Sequence, residues 1–185
     1  MKKYHSDAAL VSACLKCKPA AQRALYDQYV QAMYNTVYRY TCNHQDTQDI
    51  LQDGFTRVFK HLKNYDGEKG DLLAWIRKIH IRCALDFLKK ERIPFEEIGD
   101  AASLPDIYSA AYEHLEAEYI LKFIEELNPR DRVIFNLHQI EGYSHDEIAD
   151  LLSININSSR VYLARAKKIL RERITTYQGQ LSLVQ

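Results

Sequence analysis

Apolar residues along this chain recur at intervals of three and four rather than alternating, so helices are predicted almost throughout and no strand pattern is found. Leu10 and Ala13 mark a first helix, Asp7 to about Lys16, behind a capping Ser6. Pro19 suits the first turn of a second, where its missing N–H would be unpaired anyway, and Leu25, Tyr29, Met33, Val37 and Tyr40 carry that helix to about Thr41. After the polar turn Asn43-His44-Gln45, a third helix is predicted from Asp46 to about Leu62, with Ile50, Leu51, Phe55, Val58 and Phe59 inward. Asp46, Asp49, Gln52 and Asp53 form its outer face, and the first two also suit the positive end of the helix dipole. Asn64 to Asp71, NYDGEKGD, is a loop by composition. A fourth helix runs from Leu72 to about Arg92, with Leu72, Trp75, Ile76, Ile79, Cys83 and Phe87 inside. On its other side Lys78, Arg82, Lys89 and Arg92 share an arc of roughly 80°.

Periodicity fails from Ile93 to about Ala111, where Pro94, Gly99 and Pro105 interrupt an acidic stretch that reads as a linker. Helices resume at Tyr112 to Leu127 and, capped by Asn128, at Pro129 to about Ile140. Glu141-Gly142 then turns the chain into its most informative segment. Ser144 and Glu147 form an S-x-x-E capping box ahead of Ile148, Leu151 and Leu152. Ser153 and Ile154 break that helix, and Asn155 caps the next, expected to reach about Ile174. Leu163, Ala166 and Leu170 fall on one side of it; Asn157, Arg160, Val161, Ala164, Arg165 and Lys168 fall roughly opposite. One face packs and the other can enter a DNA major groove. The expected fold is therefore all-α: two small helical domains joined by a flexible linker, the C-terminal one holding a helix-turn-helix. The expected boundaries are 1–92, a linker at 93–111, 112–178 and a tail at 179–185.

Composition sharpens this picture. At 185 residues and 46% hydrophobic content the chain can bury a core. No apolar run approaches the roughly 18 residues of a membrane span, and Met1 to Lys18 lacks a signal-peptide layout, so no membrane insertion and a cytoplasmic location are expected. Zero net charge argues against a nucleic-acid partner until the charges are placed. Between Ile93 and Glu126 nine acids face one base, Lys122, whereas Asn157 to Arg173 holds six bases against one acid, Glu172. A basic surface thus coexists with a neutral whole. Cys14 and Cys17 form a C-x-x-C pair that Cys42 and His44 could extend towards zinc, but the spacing is not that of standard ligands. Thiols serving as small apolar side chains are the simpler reading, so no metal and no cofactor are expected. No phosphate-binding loop, nucleophile motif or catalytic carboxylate pair is found, which argues against an enzyme. A metal hydrolase built on Asp46, Asp49, Asp53 and His44 is disfavoured, since acids so spaced on one amphipathic helix more often form a solvated or docking face.

The order of motifs closely resembles the extracytoplasmic-function class of RNA polymerase sigma factors, in the sigma-70 family. The resemblance runs through D-x-x-D-I-x-Q-D-x-F at Asp46 to Phe55, then A-W-I with A-L-D in the Trp75 helix, then the linker, then N-P-R-D-R at Asn128 to Arg132 and the capped helix-turn-helix. It implies a transcription initiation factor that binds core RNA polymerase, reads the minus-thirty-five and minus-ten promoter elements and promotes DNA opening. It assigns polymerase binding to Asp46, Asp49, Gln52 and Asp53. Minus-ten recognition would fall to Asn64, Tyr65, Asp66 and Lys69 in the loop and to Lys78, Arg82 and Lys89 on the next helix, with Trp75 in the core. Minus-thirty-five recognition would use Arg160, Val161, Tyr162 and Arg165, with Ser158, Lys167 and Lys168 near the DNA backbone. The resemblance also implies an anti-sigma partner, which could hold the chain at the membrane. The rival reading is a helix-turn-helix regulator acting without polymerase, which leaves the Asp46 helix and the Arg82 face unexplained. Four positions depart from the family pattern. Cys17 replaces a usual Gly, so a rearranged turn is expected there; Arg82 replaces a common Asn. Ile156 and Ser159 replace a polar residue and a Val, so altered packing is expected at the start of the recognition helix.

Overall fold

The computed structural model describes residue 4, residues 6–90 and residues 117–182. They fall in two compact units, Met1–Glu91 and Arg92–Gln185. The expected linker and the residues 112–116 of the helix expected after it lie outside the described residues.

In the first unit, α1 (Asp7–Leu15), α2 (Pro19–Thr41), α3 (His44–His61) and α4 (Leu72–Lys90) surround one core. Leu10, Leu25, Met33, Val58, Leu72 and Ile76 are its fully buried centre. Ser6 caps α1 by accepting from the Ala9 N–H. Asn43 starts α3 two residues earlier than expected, because its Oδ1 accepts from both the Gln45 and Asp46 amides, at 2.8 and 3.1 Å. Where α3 crosses α4, Gly54 admits the buried His80 ring: a Cβ on Gly54 would lie 2.4 Å from His80 Cδ2. His80 donates from Nδ1 to the Ile76 carbonyl at 3.0 Å, and its ring stands edge-on to Phe55. The expected rearrangement at Cys17 does not occur. Cys17 takes the left-handed conformation, with φ of 53°, that a glycine would adopt there.

In the second unit, α5 (Ala117–Glu125), α6 (Pro129–Phe135) and α7 (His145–Leu152) pack against a long α8 (Ile156–Ser182). Asn128 caps α6 through the Arg130 amide. The helix expected to reach Ile140 does so, but its last five residues, Asn136–Ile140, widen into a π-helical turn. Both halves of the capping box on α7 are present, with Glu147 N–H to Ser144 Oγ at 3.2 Å and Ser144 N–H to Glu147 Oε2 at 2.8 Å. Ser153 supplies the left-handed turn residue at φ of 58°, and Asn155 Oδ1 accepts from the Ser158 amide to begin α8. That helix outruns its expected end at Ile174, and much of the expected tail is helical. Tyr177 explains the extension, since its ring packs against Tyr119 and Phe123 of α5 and gives the extra turns apolar contact.

Candidate nucleic-acid and protein interfaces

The four polar residues on the outer face of α3 are not equivalent. Asp49 and Gln52 are exposed and Asp46 is half-buried in the first turn. Asp53 is exposed but accepts an ion pair from Arg57 Nη2 at 2.9 Å, and Arg57 Nη1 reaches Asp86 of α4 at the same distance. The Asp in the A-L-D motif thus anchors the arginine that neutralises one acid of the outer α3 face. Beside this face stands an aromatic ladder that sequence reasoning missed. Tyr38 stacks on His44 at 5.0 Å between ring centroids, Tyr34 lies 6.0 Å from Tyr38, and the Tyr34 hydroxyl bonds His44 Nδ1. Tyr34 and Tyr38 sit one helical turn apart, and helical spacing of aromatics was the available signal.

The loop ahead of α4 is internally tied. Tyr65 donates from its hydroxyl to the Gly70 carbonyl at 3.1 Å and tilts over Trp75 at 5.7 Å, both rings being half-buried. Burial, with Asp7, Asp71 and Asp66 nearby, raises the Tyr65 phenol above its ordinary range, so it stays protonated. Asp66 accepts from the Glu68 amide and pairs with Lys69 at 3.3 Å. Tyr65 and Asp66 therefore shape the loop, while Asn64 and Lys69 project from it. On α4, Lys78, Arg82 and Lys89 are exposed on the side away from the core.

On α8, Arg160, Arg165 and Lys168 are exposed, and Val161 and Lys167 are half-buried. Tyr162 and Ser158 are not on this face. They are only 1% and 0% accessible, because α5, α6 and α7 all pack on α8 and cover a wider arc than one apolar stripe suggests. Tyr162 instead lies beneath Arg165, whose Cζ sits 5.8 Å from the ring centroid. Ser159, expected to weaken the packing, is fully buried and bonds His145 Nδ1 at 2.9 Å, so a polar tie from α7 fixes the first turn of the recognition helix. His145 in turn packs its ring 4.5 Å from that of His138 in the π turn. Two charged residues are buried at the start of α6. Arg132 donates from Nη1 to the Glu125 and Leu127 carbonyls, locking the α5–α6 corner. Asp131 is 1% accessible, and neither carboxylate oxygen has a hydrogen-bond partner among the described residues. Burial pushes its pKa up to about 6, with Arg165 and Arg130 opposing the shift.

The profile of sigma-70 region 2 matches residues 25–93, and that of sigma-70 region 4 matches residues 117–170. Both halves, in order, account for most of the chain. It belongs to the sigma-70 family. Among relatives named RNA polymerase sigma factors, the extracytoplasmic-function factor SigE of Mycolicibacterium smegmatis is 25% identical over 84% of this chain, which spans 62% of that protein's length. SigV of Bacillus subtilis is 24% identical over 95% of this chain and 97% of its own. A solved structure of the sigma factor RpoE bound to the anti-sigma factor NepR from Bartonella quintana has the same fold, with a TM-score of 0.50 and 18% identity over 81% of this chain and 94% of that one. In sigma-70 terms, region 2 holds the acidic α3 face, the loop and the α4 cations, and region 4 holds the α7–α8 helix-turn-helix.

Proposed function

We propose that the chain is a promoter-specificity subunit. It binds core RNA polymerase, recognises the minus-thirty-five and minus-ten elements and promotes DNA opening, and it performs no chemistry of its own. The observation that carries this reading is the presence, in one chain and in order, of regions 2 and 4, each with its own exposed basic helix face. A helix-turn-helix regulator acting alone would have no use for the acidic α3 face.

Asp46, Asp49 and Gln52 dock a basic surface of the polymerase, with Asp53 contributing less because Arg57 already pairs it. Asn64, Tyr65, Asp66 and Lys69 form the minus-ten pocket, Tyr65 and Asp66 by shaping it. Lys78, Arg82 and Lys89 follow the separated strand through its phosphates. Arg160, Val161 and Arg165 reach base edges of the minus-thirty-five element, while Lys167 and Lys168 contact its backbone. An anti-sigma protein is the expected negative partner, supported by the anti-sigma complex of the structural relative. The working location is the cytoplasm; no described helix is long and apolar enough to cross a membrane.

The test is reconstitution of the pure chain with core polymerase on genomic fragments, followed by permanganate footprinting of opened DNA. Stable complex formation and start-site opening are expected; the absence of both on every fragment rejects the reading. Within the docking face, Asp49→Lys should abolish the complex while Asp53→Lys weakens it less.

A further inference from the structure

The first turn of α8 is held in the second unit by polar rather than apolar burial. Of Ile156, Asn157, Ser158 and Ser159, the two buried residues are the serines; Ile156 is half-buried and Asn157 is exposed. The first fully buried apolar side chain on this helix, Tyr162, comes in the next turn. Apolar packing lets one surface slide or rotate over another, whereas a hydrogen bond weakens steeply once donor and acceptor turn apart. One such bond reaches this turn from α7, between His145 Nδ1 and Ser159 Oγ at 2.9 Å. Both of its ends are braced. The capping box of Ser144 and Glu147 fixes the backbone at His145. From the π turn, His138 packs its ring 4.5 Å from that of His145, and the Gln139 amide donates to His138 Nδ1 at 2.8 Å. On the α8 side, Asn155 Oδ1 accepts from the Ser158 amide at 2.6 Å, and the Asn155 carbonyl accepts from the Ser159 N–H at 3.3 Å. The residue that follows Ser159 is the exposed Arg160.

We propose that His145 is a positioning residue for promoter reading: its bond to Ser159 sets the rotation of the first turn of α8, and with it how sharply Arg160 discriminates base pairs. A side chain that reads a base edge must be held within about 0.5 Å and about 10–20° of its productive geometry. Arg160 leaves the helix one residue after Ser159, so the backbone that carries it is the backbone this bond fixes. Arg165 leaves from a later turn, where Tyr162, Leu163 and Ala166 are buried, so apolar packing fixes its position without His145. A serine in place of the Val of the family pattern thus exchanges a contact that can slide for one that has a direction. This proposal rests on Arg160 reading the minus-thirty-five element.

The test uses holoenzyme assembled from core RNA polymerase and the full chain, bound to a promoter library randomised across the upstream element, with preference read at each base pair. Arg160→Ala marks the base pairs that Arg160 reads, flattening the preference there by about tenfold. Ser159→Ala removes the hydroxyl and almost no volume. It should lose about threefold to tenfold at those same base pairs and leave the others as in wild type. His145→Ala should give the same pattern, and the two changes together should be no worse than either alone, because they remove one bond. His145→Asn, whose amide can stand where Nδ1 stood, should recover most of the loss. General damage to the second unit would instead lower the preference evenly across the element. If Arg160→Ala keeps the preference at every base pair, Arg160 does not read bases and this proposal falls with that reading. If Arg160→Ala loses it while Ser159→Ala and His145→Ala match wild type or lose evenly across the element, the positioning role alone is overturned. The same holds if the two losses add, or if His145→Asn recovers nothing.

Discussion

The two halves of the molecule bury ionisable groups of opposite kinds, and acid therefore acts on them in opposite directions. The first unit buries His80, whose pKa is lowered chiefly by burial, with the bond to the Ile76 carbonyl opposing. The unfolded chain binds that proton more readily, so the stability of this half is intact above the ordinary histidine value of 6.5 and is lost as pH falls below it. The second unit buries Asp131, whose pKa is raised from 3.8 to about 6. There the folded form holds the proton more tightly, so the penalty for the buried charge is absent below pH 3.8 and complete above about 6. One half keeps a neutral group neutral inside a close-packed apolar core. The other buries a carboxylate in the first turn of α6, and its core is correspondingly polar, with Asp131, Arg132, Asn136, Ser158 and Ser159 all buried.

The contrast breaks most sharply at Gly54. A methyl group there would meet the His80 ring at 2.4 Å, in a site bounded by Phe55 and the α4 backbone where the ring has little room to retreat. Gly54→Ala should destabilise the first unit by about 3 kcal/mol, the upper part of the range for overpacking. Trp75 is the only tryptophan in the chain and lies in this half, so its fluorescence follows that unfolding separately from the rest. Adding His80→Ala should recover much of the loss, because one change opens the space that the other fills. A double variant as unstable as the sum of its parts would show that the ring is not what Gly54 accommodates.

Asp131→Asn probes the other half. The shift from 3.8 to about 6 sets an upper limit of roughly 3 kcal/mol on the cost of the charge at neutral pH. The amide keeps a polar burial cost of its own, so a net gain of about 1 to 2 kcal/mol is expected. Thermal unfolding of the second unit, followed by circular dichroism, should show that gain at neutral pH and its disappearance near pH 4. A gain constant across this range would mean that packing, not charge, is responsible.

Ser144→Ala is a smaller test of the same half. It removes the acceptor for the Glu147 amide while leaving every core contact of α7 in place. A loss of about 1 kcal/mol is expected in the second unit, with Trp75 unfolding unchanged. A change in the Trp75 transition would show that the two halves do not unfold independently.

Most elements were legible because each has a local cause. Ser6, Asn128, Ser144 and Asn155 all cap where a side chain can reach an unpaired amide, and the inner stripes of α2, α3 and α4 follow helical spacing; Asn43, read as part of a turn, caps α3 as well. What escaped depends on a neighbour. Tyr162 was placed at the DNA by resemblance alone, since spacing did not put it on the outer side of α8, and three helices cover the arc where it lies. Tyr34, Tyr38 and His44 meet only after α2 and α3 turn back on each other. The Asp53–Arg57 pair stands at i,i+4 and was open to reading, but Asp86, the arginine's second anchor, is on another helix. Asp131 was quoted within N-P-R-D-R without a role, since nothing local marks a carboxylate as buried.

Cys17 sharpens the comparison by the smallest margin. Each unit has a helix ending in a left-handed residue that is not glycine: Cys17 at φ 53° and Cys42 at φ 50° in the first, Ser153 at φ 58° in the second. Cys17 is exposed, and its backbone N–H closes the turn by donating to the Cys14 carbonyl at 2.9 Å. Its side chain therefore offers little packing in exchange for a backbone that costs a Cβ-bearing residue about 1 kcal/mol. Glycine relieves that cost but gains freedom in the unfolded chain, which offsets part of the benefit. Cys17→Gly should stabilise the first unit by about 0.5 kcal/mol, read as a small rise in the Trp75 transition. A loss instead would mean that the Cys17 side chain stabilises this corner by more than the relief of its backbone is worth.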